Sequence, residues 1–318
     1  MKHELFDNFA ELLHFALSED LGGMQDITSQ LVVPEDLVAT YAFVAHEEMV
    51  LCGAEVLRAA FKECPHPSPL PQAVEGTDAD SSLPFTEENL LTPPPASGRG
   101  LGGGQAKVQI LAKDGQKLRA GTQIAIVRGN VRDILTKERS VLNIMQHLSG
   151  IATETAKYVA ATQGTKAKIL DTRKTMPIWR ILQKYAVVCG GGQNHRMGLY
   201  DMVMIKDNHI AAAGSVSAAL EKVQSVKGKI KIEVECDTLD QVGEALKGGA
   251  DVIMLDNMNF EQMAEAVKIV GGKAELEASG NVSLKTVADI AATGIDYISV
   301  GKLTHSVRAI DIGLDAVV

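Results

Sequence analysis

From Lys166 to Gly301 the sequence repeats one pattern, a short and almost uninterrupted apolar run followed by a helical segment. The runs are AKILDT (167–172), MVMIKD (202–207), IKIEVE (230–235), DVIMLD (251–256), AELEAS (274–279) and DYISVG (296–301). Strands so rich in Ile, Val, Leu and Met on both faces suit a parallel sheet covered on both sides. Between them SVSAALEKVQSV (215–226), TLDQVGEALKGG (238–249) and NFEQMAEAVKIV (259–270) carry helical periodicity. Repeated units of this kind fold as an α/β barrel or a doubly wound sheet. No GxGxxG opens the first helix of this region, which disfavours a dinucleotide-binding sheet.

Each apolar run ends in polar or glycine residues: Asp171-Thr172-Arg173-Lys174, Lys206-Asp207-Asn208-His209, Glu235, Asp256-Asn257, Ser279-Gly280 and Gly301. In a barrel the carboxyl ends of the strands share one rim, where active sites are built. Arg173, Lys174 and Lys206, with His195 and Arg196 from the loop GGGQNHRMG (190–198), form a cationic set that calls for an anionic ligand. Glu235 and Asp256 beside such a site suit magnesium, which takes a few carboxylates together with phosphate oxygens. Ser279-Gly280 and Gly301 offer backbone N–H groups to a terminal phosphate. A phosphorylated sugar fits all three features. An aldol reaction, an isomerisation and a glycosyl transfer remain open at this point.

The preceding residues read differently. Leu5, Phe9, Leu12, Leu13 and Ala16 mark an amphipathic helix stopped by Gly22-Gly23; a strand around Tyr41–Ala45 and a helix near Ala54–Lys62 follow. The stretch 65–104 holds eight of the ten prolines and six glycines, a composition that reads as a flexible insertion, with peptide docking as the other option. After it, residues 107–129 alternate apolar and polar around turns at Asp114-Gly115 and Ala120-Gly121, as in a small antiparallel sheet. A helix is predicted over Val131–His147. Arg139 lies at the margin of its apolar stripe and either snorkels to water or points into a site or across an interface.

A net charge of −9 argues against nucleic-acid binding, which needs a basic face. Cys52, Cys64, Cys189 and Cys236 form no CxxC pair and read as reduced thiols, and no apolar run is long enough for a membrane span. A cytoplasmic protein is expected.

The motifs DTRKTMP (171–177), CGGGQNHRMGL (189–199), MIKDNHI (204–210), IEVE (232–235), IMLDN (253–257), EASGNV (277–282) and SVGKLTHS (299–306) resemble the quinolinate phosphoribosyltransferase family in order and spacing. EDLGGMQDIT (19–28) and KERSVLNIMQHLSGIA (137–152) do so too. The resemblance implies an incomplete seven-stranded α/β barrel, TIM-like, with an N-terminal α/β sandwich. It would divide the chain into residues 1–142 (with the insertion 65–104), a catalytic barrel at 143–303 and a tail at 304–318 returning to the N-terminal domain. The implied activity is transfer of phosphoribosyl from phosphoribosyl pyrophosphate to quinolinate with decarboxylation, in de novo NAD biosynthesis. The resemblance assigns Arg173, His195, Arg196 and Lys206 to the quinolinate carboxylates and Lys174 to phosphoryl groups. It assigns Glu235 and Asp256 to the ribose hydroxyls and Mg2+, and Ser279, Gly280, Gly301 and His305 to the 5-phosphate. Arg139 would reach into the neighbouring subunit's site of a homodimer.

One departure stands out within the barrel. Ile178-Trp179 occupies positions where the family usually shows glycine and a small or aliphatic residue, so a narrowed pocket or shifted loop is expected there. Two rivals remain: an enzyme of the same architecture acting on nicotinate or another acid, and an inactive phosphosugar-binding paralogue. The generous cation set disfavours the first, and the presence of Lys174, Glu235 and Asp256 disfavours the second.

Overall fold

The computed structural model describes residues 2–22, 24–63 and 106–317. The stretch 65–104, Cys64 and Gly23 lie outside the described residues, and so therefore does the expectation of a flexible insertion.

The N-terminal part comprises α1 (Lys2–Leu21), α2 (Ile27–Val32), β1 (Val38–Ala45), β2 (Met49–Val50), α3 (Glu55–Ala60), β3 (Lys62–Glu63), β4 (Lys107–Ile110), β5 (Lys117–Leu118), β6 (Gln123–Asn130) and α4 (Val131–Ala161). Phe9 and Leu13 of α1 are buried, as the helical stripe requires. The 107–129 region differs from its expected local sheet. β4 and β6 do pair antiparallel, but β5 leaves them and pairs with β2, a partner that short-range periodicity does not specify.

α4 runs fourteen residues past its predicted end at His147. Gly150 does not stop it: a Cβ there would lie 2.2 Å from the carbonyl oxygen of Arg308, so the glycine serves close packing of the C-terminal segment. Ile151, Ala152, Thr155 and Tyr158 then continue the buried stripe. The expected boundary at 142/143 falls inside this continuous helix, which packs on β6 and on β7 (Lys168–Leu170) alike.

The second part continues with α5 (Arg180–Cys189), β8 (Val203–Ile205), α6 (Asp207–Ala213), α7 (Val216–Lys222), β9 (Ile232–Cys236), α8 (Leu239–Gly248), β10 (Val252–Asp256), α9 (Phe260–Val270), β11 (Glu275–Ser279), α10 (Val287–Ala292), β12 (Tyr297–Ser299), α11 (Lys302–His305) and β13 (Ile312–Ala316). Six strands form one parallel sheet in the order β7-β12-β11-β10-β9-β8. Each coincides with one of the six apolar runs. From β8 to β12 each strand lies beside its sequence neighbour, so the sheet winds in one direction, unlike a doubly wound sheet whose order reverses. Beyond β7 the only further pairing among the described residues is a single parallel bridge, Leu170 to Gln193, where the resemblance implied a seventh strand.

β13 returns to pair antiparallel with β1, giving the N-terminal sheet the order β13-β1-β6-β4-β3. Among the described residues no helix is long and apolar enough to cross a membrane. Cys52 and Cys236 are buried free thiols and Cys189 is a half-buried one.

Candidate active site

The carboxyl ends of the six parallel strands open into one cleft of about 780 Å³. Arg173, Lys174, His195, Arg196, Lys206, Glu235, Asp256, Ser279, Gly280, Gly301 and His305 all line it. Arg139 does not; it is exposed on α4. Every other residue to which the resemblance gave a ligand role therefore lies in this one cavity.

One wall is cationic. The Arg173 Nε is buried without a hydrogen-bond partner, and neither Arg173 nor Arg196 is ion-paired to a carboxylate among the described residues. Burial and the neighbouring Arg173 charge both lower the pKa of Arg196, so the two guanidiniums are held together against their mutual repulsion. Lys206 at the head of α6 is ion-paired with Glu235 of β9. The resemblance gave these two residues to different ligands, whereas in the free chain they neutralise each other.

The loop 189–199 that delivers His195 and Arg196 is anchored from beneath. A Cβ on Gly190 would lie 2.4 Å from the Ala152 carbonyl oxygen, so the loop can leave α5 only by hugging α4. Asp171, fully buried, is ion-paired with the equally buried Lys184 of α5. The same carboxylate accepts from the Asn194 side chain at 2.5 Å and the His195 backbone N–H at 2.9 Å, while Lys184 Nζ donates to the His195 carbonyl at 3.0 Å. Burial pushes Asp171 up and Lys184 down, and their opposite charges pull each back. Asp171 thus departs from the rim group in which the sequence placed it. It braces the loop and does not line the cleft.

Two buried acids escaped the sequence reading. Glu233 and Glu277 lie inside the sheet, with the His195 Nε2 3.0 Å from Glu233 and 3.5 Å from Glu277. The Ser299 hydroxyl donates to Glu277 at 2.5 Å. Burial, then the Glu233 charge, pushes the Glu277 carboxyl up to about 8. A signal was present: Glu233 precedes Glu235, and Glu277 precedes Ser279, by two residues, which puts each pair on one face of its strand.

The opposite wall carries Asp256, Ser279, Gly280 and Gly301. Gly280 has φ +94°, and a Cβ there would lie 2.1 Å from the Asn257 side-chain oxygen and 3.0 Å from the Asn257 backbone nitrogen. Gly280→Ala should therefore cost about 1–3 kcal/mol of stability, read by urea unfolding; a loss below a few tenths would contradict this reading of the turn. At Gly301 a Cβ would press on Lys174 Cδ at 2.9 Å and His305 Cδ2 at 3.3 Å, so the missing side chain lets those two residues converge.

Ile178 and Trp179 do not line the cleft, contrary to a narrowed pocket. Trp179 packs edge-on against His147 with ring centroids 5.2 Å apart. Ile178 is 87% exposed with φ +71°, a strained conformation for a β-branched residue. Ile178→Gly is expected to raise stability by about 0.5–1 kcal/mol, because relief of left-handed strain exceeds the added freedom of the unfolded chain. Unchanged or lower unfolding free energy would count against that strain.

The chain is similar to known proteins over nearly its whole length. Models of the quinolinate phosphoribosyl transferase C-terminal and N-terminal domains match residues 151–315 and 99–149. The chain belongs to the quinolinate phosphoribosyltransferase family. It is similar to a probable nicotinate-nucleotide pyrophosphorylase (carboxylating) of Bacillus subtilis, 47% identical over 96% of this chain and 91% of that protein. A nicotinate-nucleotide pyrophosphorylase (carboxylating) of Mycobacterium leprae is 41% identical over 98% of both chains. The crystal structure of the nicotinate-nucleotide pyrophosphorylase from Ehrlichia chaffeensis superposes with a TM-score of 0.81 at 36% identity, covering 97% of this chain and 98% of the other. The match to the quinolinate phosphoribosyl transferase C-terminal domain spans the whole six-stranded sheet and its cleft.

Proposed function

We propose that this chain transfers phosphoribosyl from phosphoribosyl pyrophosphate to quinolinate with loss of CO2, giving nicotinate mononucleotide and pyrophosphate in de novo NAD biosynthesis. The observation that carries the reading is the pair of unneutralised guanidiniums, Arg173 and Arg196, facing carboxylates and backbone N–H groups across one cleft. Two adjacent cations suit an acceptor with two carboxylates better than a monoacid such as nicotinate.

Arg173, Arg196 and Lys206 would grip the acceptor carboxylates and aim the ring nitrogen at the anomeric carbon. Lys206 is freed for this when Glu235 turns to the ribose hydroxyls. The nitrogen–carbon bond forms as the bond to pyrophosphate breaks, its electron pair leaving with the phosphate, and Lys174 offsets that charge. Quaternisation makes the ring an electron sink, so the adjacent carboxylate departs as CO2, its bonding pair stays on the ring carbon, and a proton from water replaces it. The transfer step itself needs no general base. Ser279, Gly280, Gly301 and His305 would hold the 5-phosphate.

Glu235 and Asp256 fit a magnesium ion, being hard oxygen donors beside a cationic wall; among the described residues the Asp256 side chain accepts only from the Asn257 amide, at 2.7 Å. Mg2+ bound there would supply charge neutralisation for the departing pyrophosphate.

The unidirectional strand order, with Gln193 bridging Leu170 at the position of a missing strand, supports an incomplete seven-stranded barrel. The N-terminal sheet with α3 and α4 against it, and α1 packed on those two helices, supports an α/β sandwich. A homodimer with shared sites is supported by an exposed apolar strip, Met24, Ile27, Leu31, Val32, Leu37 and Val38. This strip adjoins the same stretch of α4 that carries Arg139: Arg132 donates to the Val33 carbonyl at 2.8 Å, and Thr136 to Asp26 at 3.5 Å. The acidic net charge and free thiols fit a cytoplasmic setting. Release of labelled CO2 from carboxyl-labelled quinolinate, dependent on phosphoribosyl pyrophosphate and magnesium, tests the activity. No release with quinolinate, or equal phosphoribosylation of nicotinate, would overturn it.

A further inference from the structure

The His195 ring has no nitrogen left for a ligand. Its side chain is 7% exposed, and its Nε2 points between two buried carboxylates, Glu233 and Glu277. Its Nδ1 accepts the backbone N–H of Arg196 at 2.7 Å. Glu233 and Glu277 outweigh burial in favouring a charged ring, but the Arg196 N–H requires a lone pair on Nδ1. The hydrogen bond therefore fixes the ring proton on Nε2, facing the acids. Glu233 itself is fully buried, and neither of its oxygens accepts an aligned hydrogen bond among the described residues. An unpaired buried carboxylate is costly to keep, and the His195 ring edge is the polar group set against it.

We infer that Glu233, backed by Glu277, is a positioning residue for the acceptor end of the cleft: it holds the His195 ring turned inward, and the ring fixes the main chain at Arg196. The inference rests on the proposed acceptor site but reassigns His195, which the resemblance made a direct carboxylate ligand. Contact with the acceptor falls instead to Arg173, Arg196 and Lys206. His195 acts as a strut: its ring sets Nε2 against Glu233 and Glu277 and accepts from Arg196 at Nδ1, while its backbone N–H and carbonyl bond to Asp171 and Lys184. Placing Arg196 accurately matters because small displacements of an orienting group are expensive in rate.

The test pairs kinetics with histidine spectroscopy. Protein labelled with 15N-histidine is examined by long-range 1H–15N correlation, the His195 signal being assigned by its loss in His195→Asn. In wild type the ring should show an unprotonated Nδ1 and a protonated Nε2, both unchanged on saturation with pyridine-2,3-dicarboxylate. In Glu233→Gln that signature should be lost. The KM for quinolinate should rise on the order of 10- to 100-fold, while that for phosphoribosyl pyrophosphate changes less than about twofold. A ring that becomes imidazolium-like when the dicarboxylate binds would overturn the inference, as would a wild-type quinolinate KM in folded Glu233→Gln. Should Glu233→Gln not fold, the wild-type spectra with and without the dicarboxylate still decide. Failure of wild type to release CO2 from quinolinate would count against the functional reading, whereas the tautomer in the free protein tests the strut by itself.

Discussion

Replacing Lys184 with methionine should lower the free energy of unfolding by about 3–5 kcal/mol, although the residue touches no ligand. Lys184 and Asp171 are both fully buried, and their ion pair is the only charged pair among the described residues with both side chains at 0% exposure. Removing the ammonium leaves a buried carboxylate whose remaining donors are the Asn194 amide and the His195 N–H. It also leaves the His195 carbonyl without the Lys184 donor. Asp171→Asn should be costly for the mirror-image reason, because the ammonium would then be buried without its charge partner. The double variant should lose less than the sum of the two, with a coupling of about 2–3 kcal/mol, since neither lone charge remains. Urea unfolding of the four proteins gives this directly. Additive losses would show that the two side chains act independently and that the 189–199 loop is held some other way. Activity should fall together with stability, because the same pair anchors the loop carrying His195 and Arg196.

That pair also marks where the sequence stops being legible. The six parallel strands were readable because a strand buried on both faces has to be almost wholly apolar, and the cleft was readable because polar residues at strand ends have few other uses in this architecture. Asp171 passed for one more rim residue, since sequence position does not tell which side of the chain a strand-terminal carboxylate faces. Lys184 was invisible for the opposite reason: a lysine in an amphipathic helix such as RILQKYAVVC reads as a solvent-facing residue until its partner is known. Glu233 and Glu277 were hidden within runs scored as apolar. Their two-residue spacing from Glu235 and Ser279 was the available clue. The length of α4 was obscured by Gly150, whose role depends on a segment more than 150 residues away. In each case the missing information was a long-range contact, which local periodicity does not carry.

Arg139 is the one residue given a ligand role by the resemblance that does not line the cleft, and its role leads to a large and specific expected effect. If Arg139 completes the site of a neighbouring subunit, each site is built from Arg139 of one protomer and Lys174 of the other. Arg139→Ala and Lys174→Ala should then each be nearly inactive as homodimers. In a mixed dimer both lesions can fall in one site, leaving the other with every residue intact. Random reassortment of equal amounts makes roughly half the dimers mixed, each with one good site of two, so about a quarter of wild-type activity should return. Exchange of subunits, by mild denaturation and refolding of the mixture, has to be verified with differently tagged chains. Were Arg139 to serve the cleft of its own chain, every site in a mixed dimer would carry one lesion and activity would stay at the level of the parents. The exposed apolar strip at 24–38 provides an independent check on the proposed interface. Leu31→Lys together with Val32→Lys should separate the protomers in sedimentation and abolish activity without touching the cleft, because a monomer lacks the partner's Arg139. A monomeric variant retaining full turnover would eliminate the shared site, whatever the mixing experiment gave.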